Sequence, residues 1–180
     1  EEGNVRCIKR PYDPEYQRLL GLELNESAVS RFINECFNQG VTPMTTCFAR
    51  EDIPTLRELG FTDIKVASYD CASFQLLKEM AVYDWSISIS TGATYDAEIR
   101  KAAECMLDRE FDFLHCITIY PTPLNQLNLN RINYLKSFTG SVGFSEAVPS
   151  RILNSPVFVI NNDAFLGRKN SKSACKFEAG

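Results

Sequence analysis

Small hydroxyl side chains occur at the ends of five short apolar segments of this sequence. The segments are VTPMTTCF (41–48), DIKVAS (63–68), WSISIST (85–91), FDFLHCITI (111–119) and GSVGFSE (140–146). The hydroxyl residues are Thr45, Thr46, Ser68, Ser90, Thr91, Thr118 and Ser145. Together with one lysine, Lys65, they would suit a phosphate or carboxylate, which needs several donors and a compensating charge. The alternative is that these residues only form turns and caps.

The five segments alternate with patterns of helical spacing, and this alternation predicts a parallel sheet with helical crossovers. The clearest helix covers residues 25–40, with Asn25 as N-cap and Gly40 at its end. Further helices are predicted within 50–60, 94–109 (Thr94 as N-cap) and 127–138. The apolar stripes of the four helices, in chain order, are Val29, Phe32, Ile33, Cys36 and Phe37; Ile53, Leu56 and Leu59; Ile99, Ala102, Ala103, Met106 and Leu107; and Leu129, Ile132, Leu135 and Phe138.

Two architectures satisfy this alternation, an open doubly wound sheet and a closed (β/α)8 barrel. No glycine-rich nucleotide-binding loop follows any of the segments, which weakens the nucleotide-binding version of the open sheet. In a barrel, the hydroxyl residues would converge on one mouth. A complete barrel usually needs at least about 200 residues, so five strands in 180 residues predict either an open sheet or an incomplete barrel.

Composition excludes several functional classes. The chain is 44% hydrophobic with a net charge of −4 and interspersed charges, which predicts one main core and no nucleic-acid-binding face. No apolar run reaches the roughly 18–20 residues of a membrane span, and the amino-terminal residues do not resemble a signal peptide. The seven cysteines are scattered, with no Cys-x-x-Cys pair and one histidine in the whole chain. We therefore expect reduced thiols, no zinc site and a cytoplasmic protein that contacts neither nucleic acid nor membrane.

Four of the strand-end segments together resemble the N-acetylneuraminate (sialic acid) synthase family, which includes the spore-coat polysaccharide biosynthesis synthases. They are TPMTTCFAREDIPTLRELGFTDIKVASYD, SISTGATYDAEI, LHCITIYPTP followed by LNLNRINYLK, and SVGFSE. The resemblance covers about residues 10–146. It implies a TIM-type (β/α)8 barrel, incomplete in this chain, with about five or six βα units. Residues 1–147 would be the barrel portion. Residues 148–180 would be a divergent segment, with an edge strand or a replacement for the eighth strand and a flexible tail.

The resemblance also implies a reaction. The family condenses phosphoenolpyruvate with an N-acylmannosamine-type sugar aldehyde to a nine-carbon 2-keto sugar acid, with manganese or magnesium, for surface carbohydrate biosynthesis. Its members are often dimers, so a homodimer is compatible with it. The family's two metal-binding histidines are absent, since Ala147 stands at the position of the first and no histidine follows. Its amino-terminal motifs are also absent. Whether this chain is an enzyme therefore stays open, and the alternative is a non-catalytic binding or partner domain that retains an anion pocket.

Position by position, the resemblance assigns roles to individual residues but identifies no catalytic residue and no metal ligand. The phosphoenolpyruvate-binding residues would be Thr46, Lys65, Ser68, Ser90, Thr118 and Ser145. On the sugar side it places Asp70, where many members have glutamate, and Tyr120. The single histidine, His115, lies several residues before the catalytic rim of its strand. We expect His115 to be a buried, hydrogen-bonded strand residue.

Overall fold

The computed structural model describes residues 12–106, 109–119 and 122–145. Within these residues the chain forms a sheet of five parallel strands. The strands are β1 (Met44–Cys47), β2 (Asp63–Val66), β3 (Ser86–Ser90), β4 (Phe111–His115) and β5 (Ser141–Phe144). Each of the five apolar segments contains one strand, so this prediction is confirmed.

Helices connect and precede the strands. They are α1 (Tyr12–Leu20), α2 (Glu26–Asn38), α3 (Ile53–Glu58), α4 (Phe74–Met80), α5 (Asp96–Cys105) and α6 (Arg131–Leu135). Short 3-10 turns span Arg50–Asp52, Ser68–Asp70 and Leu124–Gln126. No helix among the described residues is long and apolar enough to cross a membrane.

The strand order separates the two predicted architectures. The spatial order is β1-β2-β3-β4-β5, the same as the order along the chain, and every neighbouring pair is parallel. A doubly wound sheet reverses its strand order at a switch point, and this sheet does not. Sequential parallel order is the arrangement of a (β/α)8 barrel. The fold is therefore an incomplete barrel of the TIM type.

Strand alternation gives the sheet an apolar face and a polar face. Register partners Cys47, Val66, Ile89, Phe113 and Val142 are buried in the core with residues of α2 to α6. The residue that precedes each of these along the chain is polar. Thr46, Lys65, Ser88, Asp112 and Ser141 are register partners across all five strands. We call this second set the inner-face row, because it lies on the sheet face opposite the helices.

Three helix predictions need correction. Tyr95, not Thr94, is the N-cap of α5, because Glu98 Oε2 accepts the Tyr95 N–H at 2.7 Å while the Thr94 hydroxyl donates to Thr91 O at 2.9 Å. Leu129 is 47% exposed, since α6 begins only at Arg131 and the intervening backbone is off the helical period.

In α2, Asn25 caps the helix as predicted, its Oδ1 accepting the Ala28 N–H at 2.9 Å. Phe32 and Phe37, which were predicted to be buried, are exposed, whereas Ile33 is buried. The reason is position: α2 precedes β1, an edge strand of the described sheet, so only one side of its apolar stripe is covered. The predicted domain boundary at 147 and the segment 148–180 lie outside the described residues.

Candidate anion-binding site

The inner-face row places Lys65 between two hydroxyl side chains. Thr46 on β1 and Ser88 on β3 are its direct register partners, and adjacent strands lie about 4.8 Å apart. Lys65 is partly buried. Within the part of the chain that the structure describes, no hydrogen bond or ion pair reaches its ammonium group. A partly buried cation without a counter-charge favours an anionic ligand, because an anion would offset its desolvation.

Ser90 lies one step nearer the carboxyl end on the same sheet face. It is the last residue of β3 and is 1% exposed. Its hydroxyl is buried and has no hydrogen-bond partner within the described part of the chain. A buried polar group normally has such a partner. Ser90 therefore supplies unused hydrogen-bonding capacity on the face that carries Lys65.

A second group of residues joins the ends of β2, β3 and β4. Gly92 N–H donates to Ser68 Oγ at 3.2 Å, and Ser68 Oγ lies 2.9 Å from Cys116 Sγ. The Thr118 hydroxyl donates to Gly92 O at 3.3 Å. We call Ser68, Gly92, Cys116 and Thr118 the strand-end cluster. It shows that two predicted site residues, Ser68 and Thr118, meet at the same backbone segment although they lie 50 positions apart in sequence.

The other predicted site residues that the structure describes, Ser145 and Asp70, belong to neither the inner-face row nor the strand-end cluster. The backbone N–H of Ser145 donates to His115 O at 2.9 Å, which holds the end of β5 beside β4. Asp70 is partly buried after β2 and accepts a hydrogen bond from the Ser73 hydroxyl at 3.3 Å. Among the described residues, neither Asp70 nor Ser145 forms a hydrogen bond or ion pair with Lys65. Tyr120 lies outside the described residues.

His115 belongs to the helix side of the sheet. It shares a face with Phe113, is 0% exposed, and its Nε2 lies 2.7 Å from Leu127 O in the connection before α6. The expectation of a buried, hydrogen-bonded strand histidine is confirmed. Because the inner-face row lies on the opposite face, His115 cannot contact a ligand bound beside Lys65.

The described residues do not fit the divalent metal that the resemblance implies. No group of three or more His, Cys, Asp or Glu residues that could hold a metal ion occurs among them. The sole histidine of the chain is engaged on the helix side.

Two buried thiols border the carboxyl end of the sheet. Burial raises the pKa of the Cys71 thiol to about 12, although a hydrogen bond with Thr94 opposes this. Burial also raises the pKa of the Cys47 thiol, and Asp52 adds to the effect. Both thiols are consequently neutral at physiological pH, and neither supplies a thiolate nucleophile or ligand.

Sequence reasoning missed five residues of this region. Ser88, Asp112 and Ser141 complete the inner-face row, and the first two are buried. The alternation of serine and isoleucine in SISIS (86–90) was the signal that could have found Ser88, since alternate residues of a strand share a face. Gly92 and Cys116 had no comparable signal, because their role depends on contacts between separate strand ends.

Five parallel strands with a polar face, and hydroxyl residues at their carboxyl ends, define the class: a barrel of the kind that places its binding site at that end of the strands. Comparison with known proteins gives the family. The NeuB family matches residues 7–151, most of the chain, and the chain belongs to this family.

Named relatives agree with this assignment. The N,N'-diacetyllegionaminic acid synthase of Campylobacter jejuni is 29% identical over 157 residues, which cover 79% of this chain and 47% of that protein. The solved N-acetylneuraminic acid synthetase of Leptospira borgpetersenii is 25% identical with a TM-score of 0.66, over 70% of this chain and 45% of that one.

A putative spore coat polysaccharide biosynthesis protein E of Chromobacterium violaceum, 22% identical, supports the fold with a TM-score of 0.72, over 86% of this chain and 46% of that one. The chain thus spans less than half the length of these relatives. The family includes sugar acid synthases, which confirms the resemblance drawn from the sequence.

Proposed function

We propose that this chain binds phosphoenolpyruvate at the carboxyl end of its strands, as part of a sialic acid synthase-like protein. The observation that carries the proposal concerns Lys65, which is partly buried and lies between Thr46 and Ser88 in the sheet register. No ion pair reaches its ammonium group from any residue that the structure describes. Phosphoenolpyruvate carries a phosphate and a carboxylate, so it can accept several charge-assisted hydrogen bonds at once. Ser68, Ser90, Thr118 and Ser145 are the further proposed donors.

The proposed reaction is a carbon–carbon condensation. The enol carbon of phosphoenolpyruvate attacks the aldehyde of an N-acylmannosamine-type sugar, water adds to the carbon that bears the phosphate, and phosphate leaves. The product is a nine-carbon 2-keto sugar acid for surface carbohydrate biosynthesis. In this proposal Lys65 and the hydroxyl groups bind and orient the phosphoenolpyruvate. Asp70 and Tyr120 are the proposed contacts to the sugar, and the cytoplasm is the proposed location of the protein.

A calorimetric titration with phosphoenolpyruvate tests the binding step. We expect micromolar binding by the wild-type chain and a loss of affinity of about 10-fold or more in Lys65→Met, since hydrogen bonds to charged groups contribute roughly 1.5–3 kcal/mol. Lys78→Met is the matched control, because Lys78 is an exposed lysine on α4 and its loss should leave the affinity unchanged. The absence of wild-type binding, or equal affinity in both variants, would refute the proposal.

A non-catalytic binding or partner domain is the second candidate. The observation in its favour is that the described residues hold no group suited to a metal ion, which leaves the aldehyde to be activated by other donors. Phosphate release separates the two candidates. The chain is supplied with manganese, phosphoenolpyruvate and N-acetylmannosamine. Release above background supports the synthase, whereas phosphoenolpyruvate binding without release supports the binding domain.

A further inference from the structure

Ser68 is the proposed phosphate-binding residue whose hydroxyl surroundings are best defined. Its Oγ accepts the Gly92 N–H at 3.2 Å and lies 2.9 Å from Cys116 Sγ. A serine hydroxyl has one proton to donate and two lone pairs that accept. The backbone amide can only donate, so Gly92 occupies one of the lone pairs. In the contact with Cys116 either group could donate. If Ser68 donates, its proton points to the Cys116 sulfur; if Cys116 donates, the Ser68 proton is available to another acceptor.

Binding of an anionic ligand would determine which of Ser68 and Cys116 donates the hydrogen bond between them. Phosphate and carboxylate oxygens accept hydrogen bonds, so Ser68 can hold them only by donating its own proton. The Cys116 thiol must then donate its S–H to Ser68 Oγ, which fills the second lone pair. Ser68 would accept from Gly92 and Cys116 and donate to the ligand, with its hydrogen-bonding capacity complete.

The close approach of these groups depends on glycine at position 92. A Cβ atom added to Gly92 would lie 2.6 Å from Cys116 Sγ and 3.0 Å from Cys116 O. Both separations are shorter than van der Waals contact allows. The Gly92 amide and the Cys116 thiol can therefore both contact the Ser68 hydroxyl because residue 92 has no side chain.

We propose that Cys116 is a positioning residue for Ser68: its thiol holds the Ser68 hydroxyl in the orientation that donates to an anion. The inference rests on the proposed function, since it supposes that Ser68 binds phosphoenolpyruvate. It assigns Cys116 a role through Ser68, without contact between the thiol and the ligand. Thiols are weak donors, so serine at 116 should serve at least as well.

A double-mutant cycle tests the role, with phosphoenolpyruvate affinity measured by calorimetry on the full chain. We expect Cys116→Ala to weaken binding about 3- to 10-fold, the range of one hydrogen bond. Cys116→Ser should restore affinity to within about 2-fold of the wild type. In a Ser68→Ala background, Cys116→Ala should have no further effect, because a residue that acts only through Ser68 is coupled to it.

Cys36→Ala, on α2 away from the strand ends, is the matched control and should bind as the wild type does. Cys116→Val provides a second variant without a donor if the alanine variant does not fold. Absence of binding by the wild type overturns the proposed function and the positioning role together. If Ser68→Ala loses affinity while both donor-free variants at 116 keep it, or if the losses at 68 and 116 are additive, the positioning role alone is wrong.

Discussion

At the scale of single residues, Cys71 offers a measurable consequence of burial. The thiol is 0% exposed, and burial raises its pKa to about 12. In the unfolded chain a thiol ionises near its ordinary value, about 8.5–9. Between that value and about 12 the unfolded state therefore loses its proton while the folded state keeps it. Stability is fully present below the unfolded pKa and falls as pH rises through this window.

We expect the free energy of unfolding to fall with pH, by up to about 1.4 kcal/mol per pH unit from Cys71, between roughly pH 9 and 11. Cys71→Ala should lower stability at pH 7 and reduce this alkaline slope, and Cys47, whose pKa is also raised by burial, should account for part of what remains. Cys36→Ala, which removes a partly buried thiol of α2, should keep the full slope. Urea unfolding monitored by circular dichroism at pH 8 to 10.5 measures all three slopes. An unchanged slope in Cys71→Ala would contradict the assignment.

The residues of the candidate site differ in how far sequence could predict them. Lys65, Thr46 and Ser90 follow from strand position, because alternation fixes their face once the strands are recognised. The contact between Ser68 and Cys116 joins residues 48 positions apart and depends on how strand ends pack. No local pattern encodes that distance. For the same reason, the sequence could not predict that no described residue forms an ion pair with the Lys65 ammonium.

At the scale of elements, periodicity located the helices better than it located their ends. The predicted stripe of α5 is buried at Ile99, Ala102, Ala103 and Met106, and its last residue, Leu107, lies outside the described residues. The N-cap of α5 was misplaced by one residue, because the Thr94 hydroxyl donates to Thr91 O and the Glu98 carboxylate accepts the N–H of Tyr95. Caps depend on such side-chain contacts, whereas the apolar stripe depends only on spacing.

Two leucines, one within α6 and one before it, allow the start of this helix to be tested by measuring stability. Leu135 is fully buried and Leu129 is 47% exposed, although both fit one helical stripe. We expect Leu135→Ala to lower the free energy of unfolding by about 2–5 kcal/mol, the cost of a cavity in a packed core. Leu129→Ala should change it by less than about 0.5 kcal/mol.

Denaturant unfolding of both variants, at equal m-value, gives the comparison. Similar losses at 129 and 135 would mean that the helix extends over Leu129 in solution.

At the scale of the molecule, sequential strand order follows from the βα alternation only after the barrel is chosen over the doubly wound sheet. Both architectures share the same local pattern, so the sequence alone left the choice open until the family resemblance favoured one. The polar inner-face row is the structural feature that distinguishes the barrel from the doubly wound sheet. A doubly wound sheet has helices on both faces, and a polar row across all five strands would then be buried against a helix.

The sheet edges provide the last test. Among the described residues β1 and β5 each pair with one strand, while β2, β3 and β4 pair with two. Edge strands open with less loss of hydrogen bonding and burial. We expect amide hydrogen exchange to be slowest in β3 and at least about 10-fold faster in β1 and β5. Peptide-resolved mass spectrometry on the full chain measures this, with α1 as a rapidly exchanging reference.

Addition of phosphoenolpyruvate should slow exchange most at the ends of β2 to β4, which carry Ser68, Ser90 and Thr118. If β1 and β5 instead exchange as slowly as β3 before any ligand is added, further strands pair with both edges in solution. The barrel would then be closed by residues beyond those described, or by a second copy of the chain.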